Sequence, residues 1–297
     1  MQRREFLAHA GVAMSTAAII PTFAQARQPL DAMAANTKSG FAQVNGLQMY
    51  FEIHGDGEPL ILLHGGVAAS EVFGPNLLAL AKSRQVIVVH LQGHGYTKDI
   101  DRPLRFESMA DDVGALITYL KLEKADVLGY SLGGGVALQA LIRHPASVRR
   151  LIVVSAAMAH DGSYPEVNAA FDAMGVHAAQ IAQNIKGSPL GKLYPEVNWE
   201  NLLRKIGQME SQNFDWSAQV KQVKSPIELI FADADSIRPE HIVAFYEALG
   251  GGKRDAGLDG SLRPAARLGI VPGATHYNIL STTMVAEMAL AFLSHAV

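Results

Sequence analysis

The chain of 297 residues contains no cysteine. Disulfides, thiolate metal sites and a cysteine nucleophile are therefore excluded. Charge of one sign is also scarce: the formal net charge is −3, and no block of like charges occurs. The electrostatic footprint of a nucleic-acid binder is missing, so no nucleic-acid partner is expected. A strongly apolar run of about 20 residues, the minimum for a membrane span, is not found either. What remains is an ordinary globular composition, 49% hydrophobic and 18% charged, with enough apolar material for one large core or two modest ones.

The first residues read as an address. Arg3 and Arg4 precede Phe6 and Leu7, and a weakly apolar run follows, interrupted by His9, Gly11, Ser15, Thr16 and Pro21. Ala24-Gln25-Ala26 then supplies small residues at the spacing a signal peptidase reads. The segment RREFL resembles a twin-arginine export signal, which is read by a receptor and does not anchor. Residues 1–26 are thus expected to be a cleaved signal peptide of a bacterial protein, periplasmic or secreted, with no stable membrane anchor. A polar linker is expected over 27–40.

From Phe41 the pattern turns regular. Asn45-Gly46 predicts a tight hairpin turn, Gly55-Asp56-Gly57 a second one, and Leu60–Leu63 a short buried strand. Helical spacing near 70–83, a strand Val86–Leu91 and a helix capped by Ser108 and running to Leu120 follow. Then come strand Ala125–Tyr130, helix Leu132–Arg143 and strand Val148–Ser155. This alternation predicts an α/β fold with a mostly parallel sheet covered on both faces. It breaks over 156–224, where helical patterns and Pro/Gly punctuation prevail. It resumes with strand Pro226–Ala232, helix Pro239–Leu249, strand Ala266–Val271 and helix Thr282–His295. The expected organisation is a core of 41–155 and 225–297, with a helical lid of 156–224 over the carboxyl ends of the strands.

Gly129-Tyr130-Ser131-Leu132-Gly133 falls where a strand gives way to a helix. Such a turn holds a serine in strained backbone space and requires small flanking residues, so Ser131 is the candidate nucleophile. A hydroxyl needs a positioned base, and His276, just past the last strand, is the candidate. The imidazole in turn needs an acid. Asp233 and Asp235 both follow the strand Pro226–Ala232, and Asp235, on the loop ahead of Pro239, is favoured over Asp233. An oxyanion would be met by the N–H of Leu132 at the helix start and that of Gly66 in His64-Gly65-Gly66, with Val67 second to Gly66. His64, His90 and His94 lie on the same rim but lack the spacing of known zinc motifs, so no metal and no cofactor are expected.

From residue 41 onward the chain resembles the α/β-hydrolase superfamily. The resemblance rests on the HGG turn, on GYSLGG, on the stretch from Ala232 to Pro239 and on Pro272-Gly273-Ala274-Thr275-His276. It implies a central, mainly parallel sheet, a lid after the sixth strand, no cofactor, and nucleophile, acid and base at Ser131, Asp235 and His276. One departure stands out. His90 and Gln92 occupy the positions of an ion-pairing aspartate and arginine in that family, which implies a rearranged site floor.

A serine triad with two amide donors is suited to acyl transfer to water. Hydrolysis of carboxylic esters is the leading expectation, on small to medium uncharged substrates. Lactone or amide hydrolysis, carbon–carbon bond hydrolysis and perhydrolysis use the same constellation. A ligand-binding member without catalysis and a structural pseudoenzyme are the readings from other classes. The insertion carries Met158, Tyr164, Phe171, Met174, Leu190, Leu193, Tyr194, Trp199, Met209, Phe214 and Trp216. Most of these are expected to pack, and some to line an apolar pocket.

Overall fold

The computed structural model describes residues 37–294; the expected export signal and most of the expected linker lie outside the described residues. Strands β1 (Lys38–Val44) and β2 (Leu47–His54) pair antiparallel. Asn45 and Gly46 both take positive φ, 47° and 81°, which matches the twist of a two-residue hairpin. Strand β1 begins before Phe41, because Lys38, Ser39 and Gly40 pair with Ile53, Glu52 and Phe51 of β2. Main-chain pairing needs no apolar side chain, so composition alone assigned these three residues to the linker.

The second expected hairpin is a correction. Gly55 and Gly57 do turn the chain, but β3 (Glu58–Leu63) does not return beside β2. The place beside β2 is taken by β4 (Arg84–Val89), which pairs antiparallel with it and parallel with β3. A Cβ on Gly55 would lie 2.1 Å from the Ala81 carbonyl oxygen, so these glycines allow the chain to pass against the entry to β4.

Strands β5 (Ala125–Tyr130), β6 (Val148–Val154), β7 (Ile227–Ala234) and β8 (Arg267–Thr275) complete the sheet. The order is β1-β2-β4-β3-β5-β6-β7-β8, parallel from β4 to β8. Along the chain, α1 (Gly74–Leu80) precedes β4, α2 (Phe106–Tyr119) precedes β5 and α3 (Leu132–Arg143) follows it. Between β6 and β7 lie α4 (Pro165–Val176), α5 (Ala178–Gly187), α6 (Pro189–Leu193), α7 (Trp199–Glu210) and α8 (Ser217–Val220). Helices α9 (Pro239–Ala248) and α10 (Met284–Leu293) follow β7 and β8.

Two apolar clusters sandwich the sheet. One joins α2, α3 and α9 to one face; the other joins Leu77 and Leu80 of α1 with Val285, Ala289 and Phe292 of α10 on the opposite face. Helix α2 begins at Phe106 with no side-chain cap, and Ser108 falls inside its first turn. Burial of Phe106 against Gly135 of α3 decides the boundary: a Cβ on Gly135 would sit 2.6 Å from the ring. Packing of a large aromatic outweighs a cap, which contributes about 1 kcal/mol. The inserted helices are not independent of this core. Trp199, Leu202, Leu203, Ile206 and Met209 of α7 belong to the same cluster as α2 and α3. Helix α4 differs, since none of its residues is fully buried.

A close backbone approach occurs at the start of α3. A Cβ on Gly133 would lie 2.3 Å and 2.4 Å from the carbonyl oxygens of Leu63 and His64. A Cβ on Gly66 would meet only side-chain atoms at ordinary contact distance, Leu132 at 3.5 Å and Ile206 at 3.7 Å. Gly133→Ala is therefore expected to lose about 3 kcal/mol or more, and Gly66→Ala less than about 1 kcal/mol. Denaturant unfolding of the two variants checks this ranking, and equal losses would contradict it.

Candidate active site

The carboxyl ends of β3, β5, β7 and β8 converge on one edge of the sheet, and each delivers a loop there. After β5 the chain turns directly into α3 at Ser131, whose φ of 53° and ψ of −124° are rare for a residue with a side chain. The conformation is held from both sides: Ser131 N–H donates to Val154 O (2.9 Å), and Gly134 N–H donates to Ser131 O (2.7 Å). Gly129 is required because its Cβ would meet Gly133 O at 2.1 Å.

The loop after β8 brings His276 opposite. Its Nε2 lies 3.0 Å from Ser131 Oγ, and its Nδ1 lies 3.1 Å from Asp235 Oδ1. Ser131, His276 and Asp235 thus form one continuous line. If Nδ1 carries the proton toward Asp235, Nε2 is free to accept the serine proton. Asp233 is elsewhere: its Oδ2 accepts from Gly273 N–H (2.9 Å), which ties the β7 end to the β8 loop.

Asp235 is almost completely buried, with 1% of its side chain exposed. Burial alone would push its carboxyl up. The bonds from His276, from Ser155 Oγ (2.6 Å) and from Ala232 N–H (2.9 Å) outweigh that and hold it below the usual carboxylate range. The acid is therefore kept charged for an imidazolium. Three supporting residues were not foreseen from the sequence. Ser155, with φ of 50°, donates to Asp235; Ser236 Oγ lies 2.8 Å from His276 Nδ1; and Tyr130 O–H donates to the His276 carbonyl (2.7 Å). The last could have been suspected, since Tyr130 is the variable residue directly before the nucleophile. Ser155 and Ser236 carry no sequence signal, because a serine at a strand end or after an aspartate is commonplace.

On the other side of Ser131, the loop after β3 supplies Gly65, Gly66 and Val67. Gly66, Val67 and Leu132 border the same cavity as Ser131. Leu132 is the first residue of α3, so its N–H has no partner within its own helix. Val67 holds a φ of 57°, costly for a β-branched residue, in the loop that presents these amides. His64 locks the loop from below, donating from Nδ1 to Gly65 O (2.7 Å) and accepting at Nε2 from Leu91 N–H (3.1 Å). With both nitrogens so used, it is a buried neutral scaffold residue. Burial also pushes His90 and His94 down to about 4. Among the described residues no group of three or more His, Asp or Glu side chains is arranged to hold a metal ion.

A network of rings and polar groups surrounds His90 and Gln92. His90 packs against the rings of Tyr50, Tyr96 and Tyr194, and its Nδ1 accepts from Tyr96 N–H (3.0 Å). Gln92 accepts from Arg102 Nε (2.8 Å), and Arg102 reaches on to the buried Asp112. A guanidinium from further along the chain thus enters this network.

Two cavities, of about 100 Å³ and 130 Å³, open on the two sides of Ser131. Both are bordered by Ser131, Leu132, Phe171, Glu210, His276 and Tyr277. Phe106, Phe214 and Trp216 add aromatic walls to the first; Val72, Met174 and Ile206 line the second. Of the apolar residues singled out in the insertion, Phe171, Met174, Phe214 and Trp216 face these cavities, while Met158, Leu190, Tyr194, Trp199 and Met209 are core.

A serine at a strand-to-helix turn, on an eight-stranded and mostly parallel sheet flanked by helices, defines a class of structure. The chain has the α/β-hydrolase fold. The family model described as the alpha/beta hydrolase fold matches residues 58–177, which supports membership of that superfamily. The carboxylesterase CesB of Bacillus subtilis superposes with a TM-score of 0.70 at 23% identity, covering 93% of this chain and 98% of that one. The enol-lactonase of Burkholderia xenovorans LB400 gives 0.67 at 20% identity, covering 86% and 100%. In sequence, 2-hydroxymuconate semialdehyde hydrolase of Pseudomonas sp. (strain CF600) is 36% identical over 116 residues, 38% of this chain. The aligned part spans 41% of that relative's length.

The two aspartates make different bonds and should respond differently. Asp235→Asn is expected to fold and to slow turnover about 10⁴-fold, because an amide favours the wrong imidazole tautomer. Asp233→Asn should lose far less, having only the Gly273 N–H to hold. Side-by-side kinetics on one ester decide between them; the reverse ranking would move the acid to Asp233.

Proposed function

We infer that the protein is a serine hydrolase that cleaves carboxylic esters of small to medium size through an acyl-enzyme. The observation that carries this reading is the unbroken line from Ser131 Oγ through His276 to the charged, buried Asp235, opening onto two largely apolar cavities. His276 Nε2 takes the Ser131 proton as Oγ bonds to the ester carbonyl carbon. The carbonyl oxygen becomes an oxyanion, and the amides of Leu132 and Gly66 are the donors assigned to it, each contributing about 3 kcal/mol in such sites. The imidazolium, stabilised by Asp235, returns the proton to the departing alkoxide. Water then repeats the sequence on the acyl-enzyme, releases the acid and restores Ser131.

The size range follows from the cavities, and no lysine or arginine lines either of them, which disfavours anionic substrates. Ser131→Ala removes the attacking oxygen while the turn persists. Activity on a good ester should fall to a residual level with an unchanged circular-dichroism spectrum. Substantial turnover by the folded variant would overturn the assignment of the nucleophile. A panel of acyl-chain lengths, lactones and vinylogous diketones, run on the same preparation, separates ester cleavage from the lactone and carbon–carbon alternatives.

Export through a twin-arginine route is part of the same proposal, supported by Arg3, Arg4 and the small residues at 24–26. The double change Arg3→Lys, Arg4→Lys should retain the full-length protein in the cytoplasm of a bacterial host. Cell fractionation reads this directly, and unimpaired export would exclude the route.

A further inference from the structure

Glu210 closes α7 and borders both cavities, on the same lining as Ser131 and His276. Among the described residues, no hydrogen bond or ion pair in the structure reaches its carboxyl group. Burial, with no cation to offset it, pushes that carboxyl up to about 7. A partly buried acid without a partner destabilises the fold, and native chains seldom leave such a group at random. This one borders the same cavities as Ser131, where a ligand can supply what the protein does not.

The surroundings specify which ligand. The first cavity is walled by rings: Phe214 stacks on Trp216 at 4.3 Å, and Phe106 meets Phe214 at a tilt, at 5.4 Å, and Trp216 edge-on, at 5.1 Å. Phe171 borders both cavities. Aromatic faces carry negative potential, and with a carboxylate they suit a cation that has given up part of its water. The ionisable groups sharing this space are His160, His276 and Tyr277; Glu166 and Asp172 on the neighbouring α4 are exposed to solvent. A hydroxyl group would gain nothing from the ring faces, and an anion would be repelled.

We propose that Glu210 and the aromatic wall form a cation subsite, so that the preferred substrate is an ester carrying an ammonium group in one of its two arms. This rests on the ester-hydrolase reading and narrows the expectation of uncharged substrates. Glu210 acts on charge selection: the cationic group pairs electrostatically with its carboxylate while the scissile carbonyl rests against Ser131.

The test uses matched esters at about pH 8.5, where Glu210 is ionised and the probes remain cationic. Butyrylcholine is compared with 3,3-dimethylbutyl butyrate for the alcohol arm, and 4-nitrophenyl 6-aminohexanoate with 4-nitrophenyl heptanoate for the acyl arm. In at least one pair the cationic ester should have a kcat/KM about tenfold or more above its uncharged twin. Glu210→Gln should abolish that ratio and Glu210→Asp should keep part of it, with folding of both checked by thermal melting. A ratio near one in both pairs, or a ratio that Glu210→Gln leaves intact, overturns the subsite. Calorimetry of choline against 3,3-dimethylbutanol on Ser131→Ala protein reads the same preference without turnover. A failure of the ester reading would thus leave a cation preference visible, whereas equal binding of the two alcohols would overturn the subsite itself.

Discussion

Everything at this edge of the sheet depends on one steric constraint: the backbone of α3 must enter within contact distance of the backbone ends of β3 and β5. Gly129 and Gly133 permit it, since either Cβ would overlap a carbonyl oxygen. With the helix seated there, Ser131 is held at a φ of 53° in the turn, and the Leu132 amide stands at the start of α3. The strain is held by main-chain bonds to Val154 and Gly134. Ser131 is thus positioned by the fold itself.

The second layer of support is electrostatic. Asp235 is buried, which opposes its charge, and three hydrogen bonds restore that charge. Two carboxyl groups at this edge, Asp235 and Glu210, are handled in opposite ways. Asp235 is surrounded by donors and kept ionised, whereas Glu210 is given none and is pushed toward neutrality. Hydrogen bonding, more than depth, separates them.

The sequence revealed those parts of this arrangement that depend on local backbone needs. The boundaries of β5 and α3 follow from apolar runs meeting at glycines, and the candidate residues Ser131, Asp235 and His276 stand at the ends of strands whose patterns are plain. Features set by distant contacts were hidden. The crossing of β3 past β4 turned an expected hairpin into a change of neighbours, because strand pairing is decided across the sheet and not at Gly55. Phe106 moved the start of α2 because its burial partner lies on another helix. Ser155, Ser236 and Glu210 are ordinary residues in the chain, and they acquire meaning only from what the fold places beside them.

Helix α4 contributes Val167, Asn168, Phe171 and Met174 to the cavities yet has no fully buried residue, and Met174 alone packs against the core cluster. Its side chains can therefore be rewritten with little penalty to folding, while every change on its inner face alters what the cavities admit. Foldability and substrate range are in this way separable: the sheet and α3 carry the first, and a single surface helix carries much of the second. For directed evolution that makes twelve consecutive positions, Pro165–Val176, a compact library in which most members should still fold.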